Sequence, residues 1–133
     1  MKKTVLFVDD DAKRGGSLAD FLQEEYKVLL VDKTGDALKL IREGMNDIDL
    51  VILDIMMPPG ELGKERTDNA RRTGLVLLRE IRNASPKIPV VIFTVVRDPQ
   101  LRAEALRSGA VLYLEKPMLP SDLISRIDSI IGR

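Results

Sequence analysis

The stretch VILDIMMP, residues 51–58, joins an apolar run to a single carboxylate, Asp54, and ends in a proline. Its apolar residues do not alternate with polar ones, which is typical of a strand buried on both faces of a parallel sheet. Similar runs recur along the chain, and the segments between them have apolar residues at helical spacing. The five predicted strands are 4–8, 27–31, 50–53, 89–94 and 111–114. Strands alternating with helices predict right-handed crossovers and a doubly wound parallel α/β sheet.

Several helix boundaries carry sequence signals. Thr34 and Ser121 are predicted N-caps. Asp98-Pro99 predicts the start of the fourth helix, because proline is favoured in a first turn. The third helix is expected to begin at Thr73 or Gly74.

Composition limits the classes of function. The 133 residues predict one domain, 1–133, and the 21 basic and 21 acidic residues give a net charge of zero. We therefore expect no direct binding to nucleic acid. The chain has no Cys and no His, which excludes thiolate and imidazole chemistry. No apolar run approaches the roughly 20 residues of a membrane span, and no secretion signal is present, so we expect a cytoplasmic protein with no membrane contact.

Four of the predicted strands end at, or just before, polar groups. They are the acids 9–11, Asp54, Thr94 and Lys116. Ligands of doubly wound sheets bind at the carboxyl ends of the strands, so we expect these groups in one site. Mg²⁺ commonly takes one or two carboxylates together with waters and phosphate oxygens. Lys116 adds a positive charge and Thr94 a hydroxyl donor, which together suit phosphoryl transfer to Asp54.

Each group taken alone has a simpler explanation. The acids 9–11 also suit a helix N-terminus, and Asp54 suits a turn at the end of a strand. Thr94 is a good β-former, and Lys116 suits a solvated strand terminus. The ordered combination, rather than any single group, favours a phosphoryl-transfer site.

Four ordered motifs resemble those of bacterial two-component response-regulator receiver domains of the chemotaxis-regulator type. They are VLFVDDD at 5–11, VILDIMMPPG at 51–60, PVVIFT at 89–94 and YLEKP at 113–117. The resemblance implies a flavodoxin-like (βα)5 domain with a parallel sheet of order 2-1-3-4-5. It also implies that Asp54 accepts a phosphoryl group from a sensor histidine kinase or a histidine phosphotransfer protein.

The resemblance further implies a metal site. Asp10 and Asp54 would bind Mg²⁺ directly, with the backbone carbonyl of Met56 as the third protein ligand. Asp9 would act more indirectly, through a water molecule.

The resemblance also implies a switch. Lys116 would contact the phosphoryl group, Thr94 would move toward it, and Tyr113 would turn inward into the space that Thr94 leaves. The surface of the fourth helix, fifth strand and fifth helix would then change and be recognised by an unknown downstream protein. We also consider a phosphorylation-dependent homodimer.

Two departures from the family pattern lie beside the predicted site. The connection 58–72 between the third strand and third helix is about a dozen residues longer than usual and mixed in charge. We expect a solvated loop, with a lid or a partner-selecting segment as the alternative. Val95 is bulky where the family has a small residue, and neither Met56 nor Val96 can orient a water molecule. We therefore expect narrow access to Asp54 and slow hydrolysis of its acyl phosphate.

Two other functions remain open at this point. Asp9-x-Asp11 after a strand also fits a haloacid-dehalogenase-like phosphatase, with Thr94 and Lys116 as later motif members. That assignment lacks the terminal acidic pair and leaves Asp54 without a role. The second option is a receiver-like protein-binding module that is never phosphorylated, which the restricted access at Val95 would favour.

Overall fold

A computed structural model of the protein describes residues 2–10, 17–44 and 47–132. The strands in these ranges are β1 Thr4–Val8, β2 Lys27–Val31, β3 Leu50–Leu53, β4 Val90–Thr94 and β5 Leu112–Glu115. They form a parallel sheet of order β2-β1-β3-β4-β5. The three central strands are buried at every residue, which explains their continuous apolar sequences. The predicted fold and strand order are confirmed.

The helices cover both faces of the sheet. They are α1 Ser17–Glu25, α2 Thr34–Glu43, α3 Thr73–Ala84, α4 Pro99–Arg107 and α5 Pro120–Ile131. In β1, Leu6 and Val8 join the apolar cluster beneath α2, α3 and α4, whereas Val5 and Phe7 join the cluster beneath α1 and α5. This division follows from the alternation of side chains along a strand. Within the described ranges, no helix has the length and apolar character needed to cross a bilayer.

Strand and helix boundaries agree with the sequence to within a residue at most positions. β4 starts one residue later than predicted, at Val90, and β5 is shifted by one residue so that it includes Glu115. The predicted start of α4 is confirmed, because the Asp98 carboxylate accepts a hydrogen bond from Gln100 N at 2.8 Å.

Two predicted helix caps are wrong. Thr34 is the first residue of α2 rather than its cap, and its hydroxyl donates to the Pro59 carbonyl at 3.0 Å. Ser121 lies inside α5, which begins at Pro120 after an extended Leu119. The Thr34 hydroxyl is bonded to a distant segment and so cannot cap α2. Helix α5 begins one residue before Ser121, because proline is favoured in the first turn of a helix.

The segment 58–72 has two buried residues, Leu62 and Thr67, and most of its other side chains are exposed, in keeping with the expected solvated loop. It contains a short 3-10 helix, Gly60–Leu62, followed by successive turns. Leu62 joins the apolar core, and the buried Thr67 donates its hydroxyl to the Gly63 carbonyl at 2.8 Å. Left-handed backbone at residues 68–70 then directs the chain toward α3.

Gly74, the second residue of α3, lies where that helix meets the end of β3. Its N–H donates to the Ile55 carbonyl at 2.8 Å. A Cβ at this position would fall on the carbonyl oxygen of Asp54 and 2.6 Å from the Ile55 Cα. The helix therefore approaches this closely only because glycine has no side chain. Gly35, the second residue of α2, differs because the three atoms nearest to its added Cβ belong to the Glu61 side chain.

These two glycines give a matched pair for a stability test. We expect Gly74→Ala to lower the free energy of unfolding by about 2 kcal/mol or more, because backbone must move to admit the methyl group. Gly35→Ala should be neutral or slightly stabilising, because Glu61 can rotate away and alanine favours the helix by up to about 1 kcal/mol. Urea unfolding followed by circular dichroism measures both. Equal effects of the two substitutions would contradict the close approach at Gly74.

Candidate functional site

Backbone hydrogen bonds bring the carboxyl ends of four strands side by side. Asp54 N donates to the Val8 carbonyl at 3.1 Å, and Lys116 N donates to the Thr94 carbonyl at 2.8 Å. The strands are parallel, so the side chains that follow them emerge at one edge of the sheet. Asp9, Asp54 and Thr94 are all buried at that edge. The structure thus assembles groups that are far apart in the sequence.

The Asp54 carboxylate has a hydrogen-bond partner on each oxygen. Its Oδ1 accepts from the Thr94 hydroxyl at 2.6 Å and from Met56 N at 3.2 Å. Its Oδ2 lies 2.9 Å from the Lys116 ammonium. The side chain is only 9% exposed, so a reacting group must approach through a narrow opening. The arrangement places a hydroxyl, an amide and a positive charge around one carboxylate.

The Lys116 ammonium links two carboxylates. It lies 2.6 Å from Asp9 Oδ2 as well as 2.9 Å from Asp54 Oδ2, and 5.5 Å from the centroid of the Phe93 ring. Burial lowers the pKa of Lys116, but the hydrogen bonds to Asp9 and Asp54 outweigh this effect and the pKa is raised overall. The ammonium therefore remains charged at neutral pH and can stabilise a further negative group.

A chain of hydrogen bonds runs from Asp54 to Tyr113 through the connection between β4 and α4. Val96 N donates to the Thr94 hydroxyl oxygen at 3.3 Å. The Val96 carbonyl in turn accepts from the Tyr113 hydroxyl at 2.6 Å. Tyr113 already lies inward, with only 4% of its surface exposed, so the expected inward turn of this side chain stays a prediction. One backbone residue therefore joins the two predicted switch side chains.

The oxygen donors near Asp54 are compatible with magnesium. No three acidic side chains in the described parts of the chain lie close enough to hold a metal ion between them. Asp10 is exposed beside a cavity of about 320 Å³ that Pro58 also lines. Asp11, which the phosphatase alternative would use, lies outside the described residues. Mg²⁺ needs only one or two carboxylates and keeps several waters, so this oxygen-only donor set fits it.

Most of the predicted site residues are in direct contact with one another. Asp9, Asp54, Thr94 and Lys116 are linked directly by hydrogen bonds, and Met56 joins them through its backbone N–H. Val95 is 62% exposed, and its effect on access to Asp54 stays a prediction.

Two residues that support the site had no signal in the sequence. Arg97 donates to the carbonyl of Lys116 at 3.1 Å. Arg102 donates to the carbonyl of Tyr113 at 3.3 Å, and its guanidinium lies 5.6 Å from the Tyr113 ring centroid. Both contacts depend on how the β4–α4 region lies against β5, which the spacing of residues does not reveal.

Several known proteins resemble the chain. The transcriptional regulatory protein ZraR of Klebsiella oxytoca is 36% identical over 115 residues, covering 86% of this chain and 23% of that protein. The transcriptional regulatory protein BaeR of Escherichia coli O6:H1 is 33% identical over 130 residues, covering 97% of this chain and 48% of that protein. The chain thus spans about half or less of the length of these curated relatives.

A solved structure also matches over nearly the whole chain. It is a CheY-like response regulator receiver domain protein from Methanospirillum hungatei, with a TM-score of 0.79 and 25% identity, covering 97% of this chain and 93% of that one. A sequence profile of the response regulator receiver domain family matches residues 5–128. The chain belongs to the response regulator receiver domain family of two-component systems.

Proposed function

We propose that this receiver domain accepts a phosphoryl group on Asp54 and transmits the change to the surface formed by α4, β5 and α5. The observation that carries the proposal is the contact of Asp54 with both the Thr94 hydroxyl and the Lys116 ammonium. A nucleophilic oxygen, a hydroxyl donor and a fixed positive charge are the groups that phosphoryl transfer requires. The family assignment supports this function over a haloacid-dehalogenase-like phosphatase.

The transfer follows from the contacts of Asp54. A carboxylate oxygen attacks the phosphorus of the donor in line, and a new O–P bond forms as the bond to the leaving group breaks. The leaving group takes the bonding electron pair. Lys116 neutralises charge on the phosphoryl oxygens, and the Thr94 hydroxyl turns its hydrogen bond from Asp54 to one of them.

The proposal includes a magnesium ion bound beside Asp54. The Asp10 and Asp54 carboxylates and the Met56 carbonyl would hold the ion directly, and Asp9 would act through water. When bound, Mg²⁺ supplies positive charge that offsets the charge of the phosphoryl oxygens. Met56 N already contacts the Asp54 carboxylate, which puts this backbone beside the proposed ligand.

The switch uses the hydrogen bonds through Val96. Phosphorylation adds negative charge and acceptor oxygens beside Thr94, which draws its hydroxyl away from its present acceptor. Val96 N follows the Thr94 hydroxyl, and the Val96 carbonyl holds the Tyr113 hydroxyl. A change at Asp54 thereby reaches β5 through a short polar path.

We further propose a sensor histidine kinase or histidine phosphotransfer protein as the donor and an unidentified downstream protein as the receiver of the signal. The names of ZraR and BaeR describe transcriptional regulatory proteins. This domain itself carries no net charge, so we expect protein contact, or a phosphorylation-dependent homodimer, rather than direct binding to nucleic acid. A cytoplasmic location is part of this proposal.

Labelling of Asp54 tests the proposed acceptor. Incubated with acetyl phosphate and Mg²⁺, the wild-type chain should gain the mass of one phosphoryl group, measured by intact-mass spectrometry. Asp54→Asn keeps the shape but removes the nucleophile and should gain nothing. Asp122→Asn, which removes an exposed carboxylate from α5, should label like the wild type. No gain on the wild type would contradict the proposed function.

The lifetime of the acyl phosphate tests whether the apolar side chains beside Asp54 slow its hydrolysis. We expect it to persist for minutes or longer, because neither Met56 nor Val96 can orient a water molecule for attack. Met56 is 48% exposed, so Met56→Asn is expected to fold normally and to shorten the lifetime severalfold by offering an amide to the water. Met56→Leu is the apolar control and should match the wild type. Decay of the radiolabel within seconds in the wild type would contradict this expectation.

Titration of Tyr113 tests its inward position. Burial is the main cause that raises the pKa of Tyr113 from about 10 to about 12. In Tyr26→Phe, which leaves Tyr113 as the sole tyrosine, the phenolate absorbance should therefore rise with a midpoint of about 12.

The same shift predicts how Tyr113 contributes to stability. The neutral phenol is favoured in the fold, so its contribution is complete below pH about 10 and is lost as the pH rises through about 12. Circular dichroism at each pH serves as the control for unfolding. A midpoint near 10 in protein that is still folded would show that Tyr113 is not buried as described.

A further inference from the structure

Helix α4 is weakly anchored by apolar contacts. Ala105 is its one buried residue, and Leu101 is partly buried against the core. By contrast, α5 buries Leu123, Ile124 and Ile127. Because little apolar surface holds α4, polar contacts contribute an unusually large share of what sets its position.

Polar contacts hold α4 on two sides. Toward β5, Arg102 donates to the Tyr113 carbonyl. Toward α3, the Glu104 carboxylate accepts from Arg79 at 2.8 Å and also from Arg72, the last residue of the segment 58–72. Residues two apart on a helix point in nearly opposite directions, so Arg102 and Glu104 hold the helix from opposite sides.

Arg72 connects this helix to the backbone beside Asp54. It immediately precedes α3, and two residues later Gly74 N donates to the Ile55 carbonyl. Gly74 also lies directly against the carbonyl of Asp54. A short path of close contacts therefore runs from Glu104 through Arg72 and Gly74 to the residue proposed to be phosphorylated.

We propose that Glu104 is a positioning residue that ties α4, through Arg72, to the backbone beside Asp54, so that the helix and the acceptor site move together. The proposal rests on the proposed function of Asp54. Helix α4 follows directly from the connection whose Val96 is bonded to Thr94 and Tyr113. Loss of the Glu104 contact should therefore make the positions of α4, Val96 and Thr94 beside Asp54 less well defined.

The charge state of Glu104 agrees with this role. The hydrogen bond from Arg72 is the largest effect on its pKa, and together with Arg79 it outweighs burial and lowers the pKa of Glu104. The carboxylate is therefore ionised at neutral pH and interacts with both guanidinium groups.

Glu80 offers a matched control. This residue of α3 also lies between two arginines from other elements, Arg66 at 2.7 Å and Arg42 at 3.7 Å. Arg66 belongs to the segment 58–72 and Arg42 to α2, and neither contact reaches α4. Glu80→Gln thus removes a comparable set of charge interactions without touching the proposed tie.

Hydrogen exchange of the full chain tests the tie without reference to phosphorylation. In Glu104→Gln, we expect backbone amides of 99–107 and of the first turn of α3 to exchange about threefold faster or more, the scale of one lost surface ion pair. Arg72→Gln should reproduce this change, and the double variant should add little to either single variant. Glu80→Gln should leave both regions at wild-type rates. Wild-type exchange in Glu104→Gln would overturn the proposal.

Labelling with acetyl phosphate and Mg²⁺ tests whether the tie positions the acceptor. We expect Glu104→Gln to be labelled about threefold more slowly or more at saturating donor, with the donor concentration for half-maximal rate unchanged. Glu80→Gln should keep the wild-type rate. Faster exchange in α4 with an unchanged labelling rate would make Glu104 merely structural and overturn the proposal. If the wild type is never labelled, the proposed function of Asp54 fails, whereas the exchange data still decide whether Glu104 makes the tie.

Discussion

The pairing of the Lys116 ammonium with Asp9 and Asp54 is the interaction on which the rest of the site depends. Both carboxylates are buried at the edge of the sheet, where an unpaired charge is strongly unfavourable. Removing the Lys116 ammonium would cost about 3–5 kcal/mol, because the charges of two buried carboxylates would then be poorly compensated. The ends of β1, β3 and β5 are thus held together by charge as well as by backbone hydrogen bonds. In the proposed function, the same ammonium would also pair with the phosphoryl oxygens.

Apolar packing holds most helices on both faces of the sheet, and α4 is the exception. Helices α1 and α5 pack on an apolar cluster that includes Leu22 and Leu123, both fully buried. Helix α4 on the opposite face depends on arginine and glutamate side chains, whose interactions are weaker and sensitive to salt. The helix adjoining Thr94 and Tyr113 is therefore the one with the least apolar anchoring among α2, α3, α4 and α5. Weak apolar anchoring of α4 is compatible with the proposed switch, in which a local charge at Asp54 alters the surface of this helix.

The sequence predicts the sheet correctly, and also the gathering of polar groups at the strand ends, because both follow from local patterns. Apolar runs identify the strands, and parallel topology places Asp54, Thr94 and Lys116 at one edge whatever the details of packing. Contacts that depend on tertiary register were missed. Thr34 was expected to cap a helix, but the carbonyl of Pro59 takes its hydroxyl. Nothing in the sequence pairs Arg72 with Glu104, because that contact requires knowing where the segment 58–72 ends in space.

Both ends of the segment 58–72 lie close to the end of β3. Its first residues follow Asp54 closely, and its last residue leads into Gly74, which is bonded back to Ile55. The entropy of closing a loop grows only slowly with length, about 0.6 kcal/mol for each doubling. Lengthening the segment between these two ends should therefore cost little and leave the Asp54 carboxylate in place. The same junction can thus accommodate connections of different length, because the close contact of Gly74 with the end of β3 does not depend on the residues between them.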